Sequence, residues 1–240
     1  MKAIMQRWIV DHPVILLVLF LMLSVLAAAG GKNLTFRGDY KIYFEEGYAP
    51  LNDFEEMQGI FNKNDNIAIL MVPKDGKVFT QEFLTLVKGY TEAAWQTPYS
   101  SRVDSLTNFQ HTWSEEDDMI VESLFEYSAD LSEEEIQAKK AVALKDPVLA
   151  GNLIAYDGKA TGVNITINLP GINQAAEVPE VVGFVREMVA KYEEAYPEVG
   201  FYQTGVTMTN NAFPEASAQD IKELYPIMIL LFLVLLFFSL

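Results

Sequence analysis

The two histidines are the side chains best suited to acid–base or metal chemistry in this 240-residue chain. His12 lies directly before an apolar run, and His111 stands in the sequence Gln110-His111-Thr112-Trp113, with no second histidine near either in sequence. Metal centres and nucleophile–base pairs need several such groups together, and the chain contains no cysteine. We therefore expect no enzyme activity, no metal site and no cofactor.

Two acidic runs are the other candidates for a cation site, Glu115-Glu116-Asp117-Asp118 and Glu133-Glu134-Glu135. Each follows a serine, Ser114 or Ser132, that has an acid three residues further on, which is the spacing of a helix N-cap. Carboxylates in a first helical turn also complement the helix dipole. We interpret both runs as the starts of two helices and not as metal ligands.

Two long apolar runs, Val14 to Gly31 and Leu224 to Leu240, flank the middle of the chain. A bilayer core takes roughly 20 apolar residues of helix, so both runs are predicted to be membrane spans. Lys2 and Arg7 precede the first run, which places the N-terminus in the cytoplasm and the middle of the chain outside. The alternative is a cleaved signal peptide, because Ala27-Ala28-Ala29 resembles a cleavage site.

The middle of the chain is strongly acidic. The net charge is −16, and Lys2, Arg7 and Asp11 are the only charged residues outside Lys32 to Glu223. We therefore do not expect nucleic acid or anionic lipid surfaces as partners. Without cysteines, this segment depends on a hydrophobic core for its stability.

Periodicity predicts an α+β outer domain. Helices are expected from Leu51 to Phe61, from about Thr80 to Ala94, after Ser114, after Ser132, and from Val178 to Tyr196. Strands are expected at Asn66 to Val72, Ser101 to Phe109, Leu153 to Tyr156, Thr161 to Leu169 and Val199 to Thr204, with a hairpin turn at Asp157-Gly158. This order predicts a ferredoxin-like, split βαβ fold with a helical insertion at about 114–146. Exposed Tyr and Phe side chains on its wet sheet face are candidates for lining a path for an apolar ligand.

The predicted organisation is a membrane protein in three parts. Residues 1–31 form the cytoplasmic start and the first transmembrane helix, and residues 32–223 form the extracytoplasmic domain. Residues 224–240 form a second transmembrane helix that the chain does not complete. The expected environment is the inner membrane of a bacterial cell, with the main domain in the periplasm.

The order of these features resembles the N-terminal part of the resistance-nodulation-division (RND) transporters, in the branch of the mycobacterial-membrane-protein-large (MMPL) and patched-like proteins. The residues that carry the resemblance are Arg7-Trp8, His12-Pro13, Asp39-Tyr40, Phe54 to Ile69, and Gly205. It implies proton-coupled export of hydrophobic or amphipathic molecules, either lipid-like or drug-like, through the outer domain. It assigns no substrate-binding residue.

The resemblance also implies partners. Neither apolar run contains a charged residue, so the proton relay would belong to further transmembrane helices beyond Leu240. The expected partners are the lipid bilayer, the rest of the transporter and a hydrophobic or amphipathic substrate. Whether the chain assembles into a homo-oligomer is left open. A two-span sensory receptor with an outer ligand-binding domain is the alternative, and a structural or chaperone-like envelope domain is a third interpretation.

Overall fold

This computed structural model describes residues 12–30, 43–45, 47–61, 65–115, 118–125 and 127–239. The chain divides into two compact units, Met1–Arg37 and Gly38–Leu240. Several predictions lie outside the described residues: those on Lys2, Arg7-Trp8, Asp39-Tyr40, Glu116-Asp117 and Leu240.

The described residues form a mixed α+β protein. The helices are α1 Pro13–Gly30, α2 Ala49–Ile60, α3 Gln81–Ala94, α4 Glu133–Lys145, α5 Gln174–Ala195 and α6 Val206–Ser239. The strands are β1 Asp65–Pro73, β2 Ser100–Ser105, β3 Gln110–Glu115, β4 Asp118–Ser123, β5 Thr161–Ile167 and β6 Val199–Thr204.

The first unit contains α1, which covers nearly all of the first predicted span. Its 18 residues include no charged side chain, and Ser24 is the one polar residue among them. At the rise of an α-helix they extend about 27 Å, slightly less than the roughly 30 Å hydrocarbon core of a bilayer. The first run therefore forms a helix as predicted, and its passage through a membrane stays a prediction.

Four strands of the second unit form an antiparallel sheet in the order β2-β5-β1-β6. β1 pairs with β5 on one side and with β6 on the other. α3 connects β1 to β2, and α5 connects β5 to β6. Each helix thus joins two strands that run in the same direction with one antiparallel strand between them.

One face of this sheet forms the core. Alternate residues of β1 and β5 have no exposed surface: Ile67, Ile69, Met71, Val163, Ile165 and Ile167. The apolar faces predicted for α3 and α5 are buried as well, among them Leu86, Val87, Tyr90, Val181, Val182 and Val185. Thr80 caps α3, because its side chain accepts a hydrogen bond from the Phe83 N–H at 3.3 Å. Alternation predicted β5 correctly, and helical spacing predicted α3 and α5. The run Asn66 to Val72 is apolar on both of its faces, which predicted a central strand covered on both sides; β1 is central, but only one of its faces is buried, since Leu70 is 41% exposed.

The helix predicted after Ser114 is wrong. Ser114 lies in β3, which pairs with β4 in a separate two-stranded hairpin and places Ser114 opposite Met119. His111 and Trp113 are partly buried while Thr112 and Ser114 are exposed, which is the two-residue period of a strand. Glu115 and Asp118 pair with each other, so they mark the hairpin end of the strands and not a first helical turn.

The second capping box is confirmed. The Ser132 side chain accepts from the Glu135 N–H at 3.4 Å, and a Glu135 carboxylate oxygen accepts from the Ser132 N–H at 2.7 Å. These two contacts begin α4. The insertion between β2 and β5 is therefore a hairpin followed by one helix, and not a purely helical segment.

Two strand predictions were too long. β2 ends at Ser105 because the Asn108 side chain closes a turn there, accepting from the Ser105 N–H at 2.8 Å and donating to the Val103 carbonyl at 2.7 Å. The segment 153–156 contributes two isolated bridges, both formed by Ile154, one with Ala150 and one with Thr161. The turn at Asp157-Gly158 does form, with Gly158 at a φ of 69°.

The predicted Leu51 helix forms as α2, but it has no buried residue. Its apolar side chains Phe54 and Met57 are 39% and 47% exposed. The sequence pattern therefore predicted the helix correctly, while none of its apolar side chains is buried within the described residues.

Candidate functional site: the junction between the sheet and the membrane helix

The last helix continues directly from the sheet into the second apolar run. α6 has 34 residues, which corresponds to about 51 Å of helix. The predicted start of the second span, Leu224, lies inside it. The side chains from Ile227 to Phe238 are 44% to 83% exposed on every side of the helix. Among the described residues, α6 is the one helix found to be both long and apolar enough to be a candidate membrane span.

Gly205 makes the connection between β6 and α6. Its φ is +119°, a conformation that side-chain-bearing residues rarely adopt. A Cβ atom at this position would overlap the Asn66 carbonyl oxygen and would lie 3.0 Å from the Ile67 Cα. The chain can therefore enter α6 only by passing directly against the backbone of β1.

The Asn66 side chain fastens the start of α6 to the sheet. Its Oδ1 accepts a hydrogen bond from the Val206 N–H at 3.4 Å, and its Nδ2 donates to the Asn164 Oδ1 at 2.7 Å. Asn66 thus connects the first residue of the helix to the two central strands of the sheet. This contact satisfies one of the N–H groups that a helix start leaves without an internal acceptor.

Further along, an ion pair holds α6 against α5. Arg186 Nη1 and Nη2 donate to Glu215 Oε1 and Oε2, each at 2.9 Å, and Asn211 Nδ2 donates to Glu215 Oε2 at 3.0 Å. The hydrogen bond to Glu215 raises the pKa of Arg186. Thr207, Asn211 and Glu215 recur every four residues, so they share one helix face. The ion pair is about half exposed, so it contributes orientation more than stability.

The sheet carries its exposed aromatic residue on the face opposite to the core. Tyr202 of β6 is 61% exposed and lies opposite Leu70 of β1, which is 41% exposed. On the core side, Tyr90 contacts the rings of Tyr192 and Phe201 at centroid distances of 4.8 and 6.0 Å. Burial raises the pKa of Tyr90. The expected aromatic residue on the open face is therefore Tyr202, beside an aliphatic side chain.

The two histidines belong to other elements of the chain. His12 is exposed directly before α1, and the His111 ring stacks on Trp113 at 5.5 Å in the hairpin. Within the described ranges, no three His, Asp or Glu side chains are grouped so as to hold a metal ion.

Sequence reasoning missed most of the junction. Gly205 was named only among the residues that carry the family resemblance, and no role was predicted for Arg186. The four-residue spacing of Asn211 and Glu215 was a detectable signal, but nothing in it indicates a partner 29 residues away. No protein-family model matches the chain, and no curated protein matches it significantly. The function must therefore be inferred from the geometry of the junction.

Proposed function

We propose that this chain is the N-terminal segment of a proton-coupled exporter of the RND type, in the MMPL and patched-like branch. Its outer domain lies in the periplasm, and α1 and α6 both cross the bacterial inner membrane. The observation that carries the proposal is the direct passage of an antiparallel β2-β5-β1-β6 sheet through Gly205 into the apolar helix α6. The same strand order, with α3 and α5 as crossovers, supports a ferredoxin-like fold for the domain.

The junction fits a protein that passes molecules outward. An exporter alternates between conformations, so its outer domain must move together with a membrane helix. Asn66 and the Arg186–Glu215 pair attach the first turns of α6 to the sheet and to α5. Neither apolar run contains an Asp, Glu, Lys, Arg or His side chain, so proton coupling in this proposal belongs to other transmembrane helices.

A two-span receptor is the second candidate, and α6 is the observation that favours it. An unbroken helix from Val206 to Ser239 could also transmit the state of an outer ligand-binding domain to the cytoplasm. The two functions differ in whether a substrate crosses the membrane. An export assay therefore separates them.

The first prediction concerns topology. Cysteines introduced at Lys74 and Lys159, whose side chains are each 68% exposed, should react with a membrane-impermeant maleimide on intact spheroplasts. The natural chain has no cysteine, so the unmodified protein is the matched control. Labelling that requires lysis of the spheroplasts would contradict the periplasmic location of the domain.

The second prediction concerns export. Cells in which the encoding gene is disrupted should retain more of an uncharged lipophilic dye than intact cells. A protonophore should raise retention in intact cells to the same level, because it removes the proton gradient that drives export.

Complementation with Arg186→Glu should fail, and the double variant Arg186→Glu with Glu215→Arg should restore export, since the exchange rebuilds the ion pair. Equal retention in disrupted and intact cells would contradict the exporter and leave the receptor.

A further inference from the structure

A cavity of about 440 Å³ opens where β6 turns into α6. Its volume lies in the range of small-molecule sites. Tyr43, Asn66, Thr204, Val206, Asn210 and Phe213 are among the residues that line it. The cavity therefore belongs to the junction that attaches the outer domain to the membrane helix.

The walls of the cavity are apolar and open to solvent. Tyr43, Val206 and Phe213 keep 73%, 41% and 55% of their surfaces exposed. Val206 and Phe213 are seven residues apart, so they lie on one face of α6. Apolar surface of this kind gains free energy when a ligand covers it, at roughly 25 cal/mol per Å².

The polar groups of the cavity are uncharged. Among the described residues that line it there is no Asp, Glu, Lys or Arg. The Asn66 amide is already bonded to Val206 and Asn164, and the Thr209 hydroxyl donates to the Gly205 carbonyl at 3.0 Å. The Thr204 and Asn210 side chains remain to bind a polar group. A charged group placed here would lack a counterion.

Pro214 leaves one acceptor of the lining residue Asn210 without its donor. In an α-helix the N–H of residue 214 would donate to the carbonyl of residue 210, and proline has no N–H. The Asn210 carbonyl therefore lacks its usual helical donor, next to an Asn210 side chain that can both donate and accept. A hydroxyl group can satisfy both, because it donates one hydrogen bond and accepts others.

The cavity also lies at a suitable height. Phe213 precedes Leu224, the first residue of the apolar run, by eleven residues, or about 16 Å of helix. A head group in the cavity would thus lie outside the hydrocarbon layer. An attached alkyl chain would have to cover this distance of about 16 Å along α6 before it entered the hydrocarbon layer.

We propose that this cavity binds the uncharged, hydroxyl-bearing head group of an amphiphile taken from the outer leaflet, with its alkyl chain against Phe213. The proposal deepens the proposed export function, since it names the class of substrate and the place where that substrate enters the outer domain. Binding itself requires no transport.

The test uses the full chain in phosphatidylcholine nanodiscs and a 1-monoacylglycerol that carries a diazirine in its acyl chain. Photolabelling should appear on peptides that contain Tyr43, Val206 or Phe213. An alkyl sulfate and an alkyltrimethylammonium with the same diazirine chain should label these peptides about tenfold less, because their charges would lose part of their hydration against walls that offer no counterion. Equal labelling by these ions, or by a diazirine alkane without a head group, would overturn the proposal.

Two matched pairs of variants test the hydrogen bonds. Asn210→Leu should lower labelling by the monoacylglycerol about fivefold, the equivalent of one lost hydrogen bond, while Gln219→Leu on the same helix should not. Pro214→Ala returns an N–H to the Asn210 carbonyl and should lower labelling by a similar factor, while Pro226→Ala should not. Unchanged labelling in both Asn210→Leu and Pro214→Ala would overturn the proposal. Selective labelling without dye export would contradict the exporter and leave the cavity assignment intact.

Discussion

Ile69→Asp should unfold the outer domain, whereas Leu70→Asp, on the next residue of the same strand, should leave it folded. Ile69 has no exposed surface and lies in β1, between β5 and β6. An aspartate there buries a carboxylate without a partner and removes an isoleucine from the core, at a combined cost of about 4 kcal/mol or more. Domains of this kind have a total stability of about 5–15 kcal/mol, so the loss is severe.

Leu70 is the matched control because it differs from Ile69 only in the face of the sheet that it occupies. It is 41% exposed, so a carboxylate at this position stays hydrated. We expect Leu70→Asp to change the free energy of unfolding by about 1 kcal/mol or less. Melting temperatures of the full-length variants in detergent, followed by near-ultraviolet circular dichroism, give the comparison. Equal losses in the two variants would contradict the burial of the β1 core face.

The core of this domain was predictable because its pattern is strictly local. In β5, Val163, Ile165 and Ile167 are buried and alternate with half-buried Asn164 and Thr166. Such alternation indicates a strand with one face in the core. α3 and α5 were predictable for the same reason, since their apolar residues recur at helical spacing.

The insertion shows where local patterns stop being sufficient. Ser114 and Ser132 each have an acid three residues further on, yet only Ser132 begins a helix. After Ser132, Ile136 and Ala143 are seven residues apart and both buried, as a helix requires. Around Ser114, Thr112 pairs with Val121 and Trp113 pairs with Ile120, and this pairing favours strands instead. Pairing across a hairpin, unlike the cap motif, cannot be seen in a short window of sequence.

The junction between the sheet and α6 could not be predicted from the sequence, for two physical reasons. Pro214 and Pro226 lie inside α6, and an internal proline normally indicates the end of a helix, so the polar residues before Leu224 were not predicted as helical. The contact between Arg186 and Glu215 joins two helices across 29 residues of chain, and no spacing rule covers such a pair. Contacts between elements are set by tertiary packing, which the sequence pattern constrains only weakly.

Gly205→Ala should disrupt the entry into α6, while Gly183→Ala should stabilise the protein. At Gly205 an alanine must adopt a φ near +119° and its Cβ must displace the backbone of Asn66 and Ile67. Left-handed strain alone costs about 1–3 kcal/mol, and the overlap with main-chain atoms adds to it because backbone cannot rotate away as a side chain can.

Gly183 lies within α5, and a Cβ built there has nothing within 4 Å. Alanine at this position should therefore stabilise the helix by about 0.5–1 kcal/mol. The two substitutions are chemically identical, so shifts of melting temperature in opposite directions would isolate the effect of backbone geometry. Hydrogen exchange adds a local test: amides of residues 206–215 should exchange faster in Gly205→Ala and be unchanged in Gly183→Ala, because only the first substitution separates Val206 from Asn66. Unaltered exchange and a small loss of stability in Gly205→Ala would show that the sheet and α6 tolerate a wider connection, and that the close contact with β1 is not required to hold the helix in place.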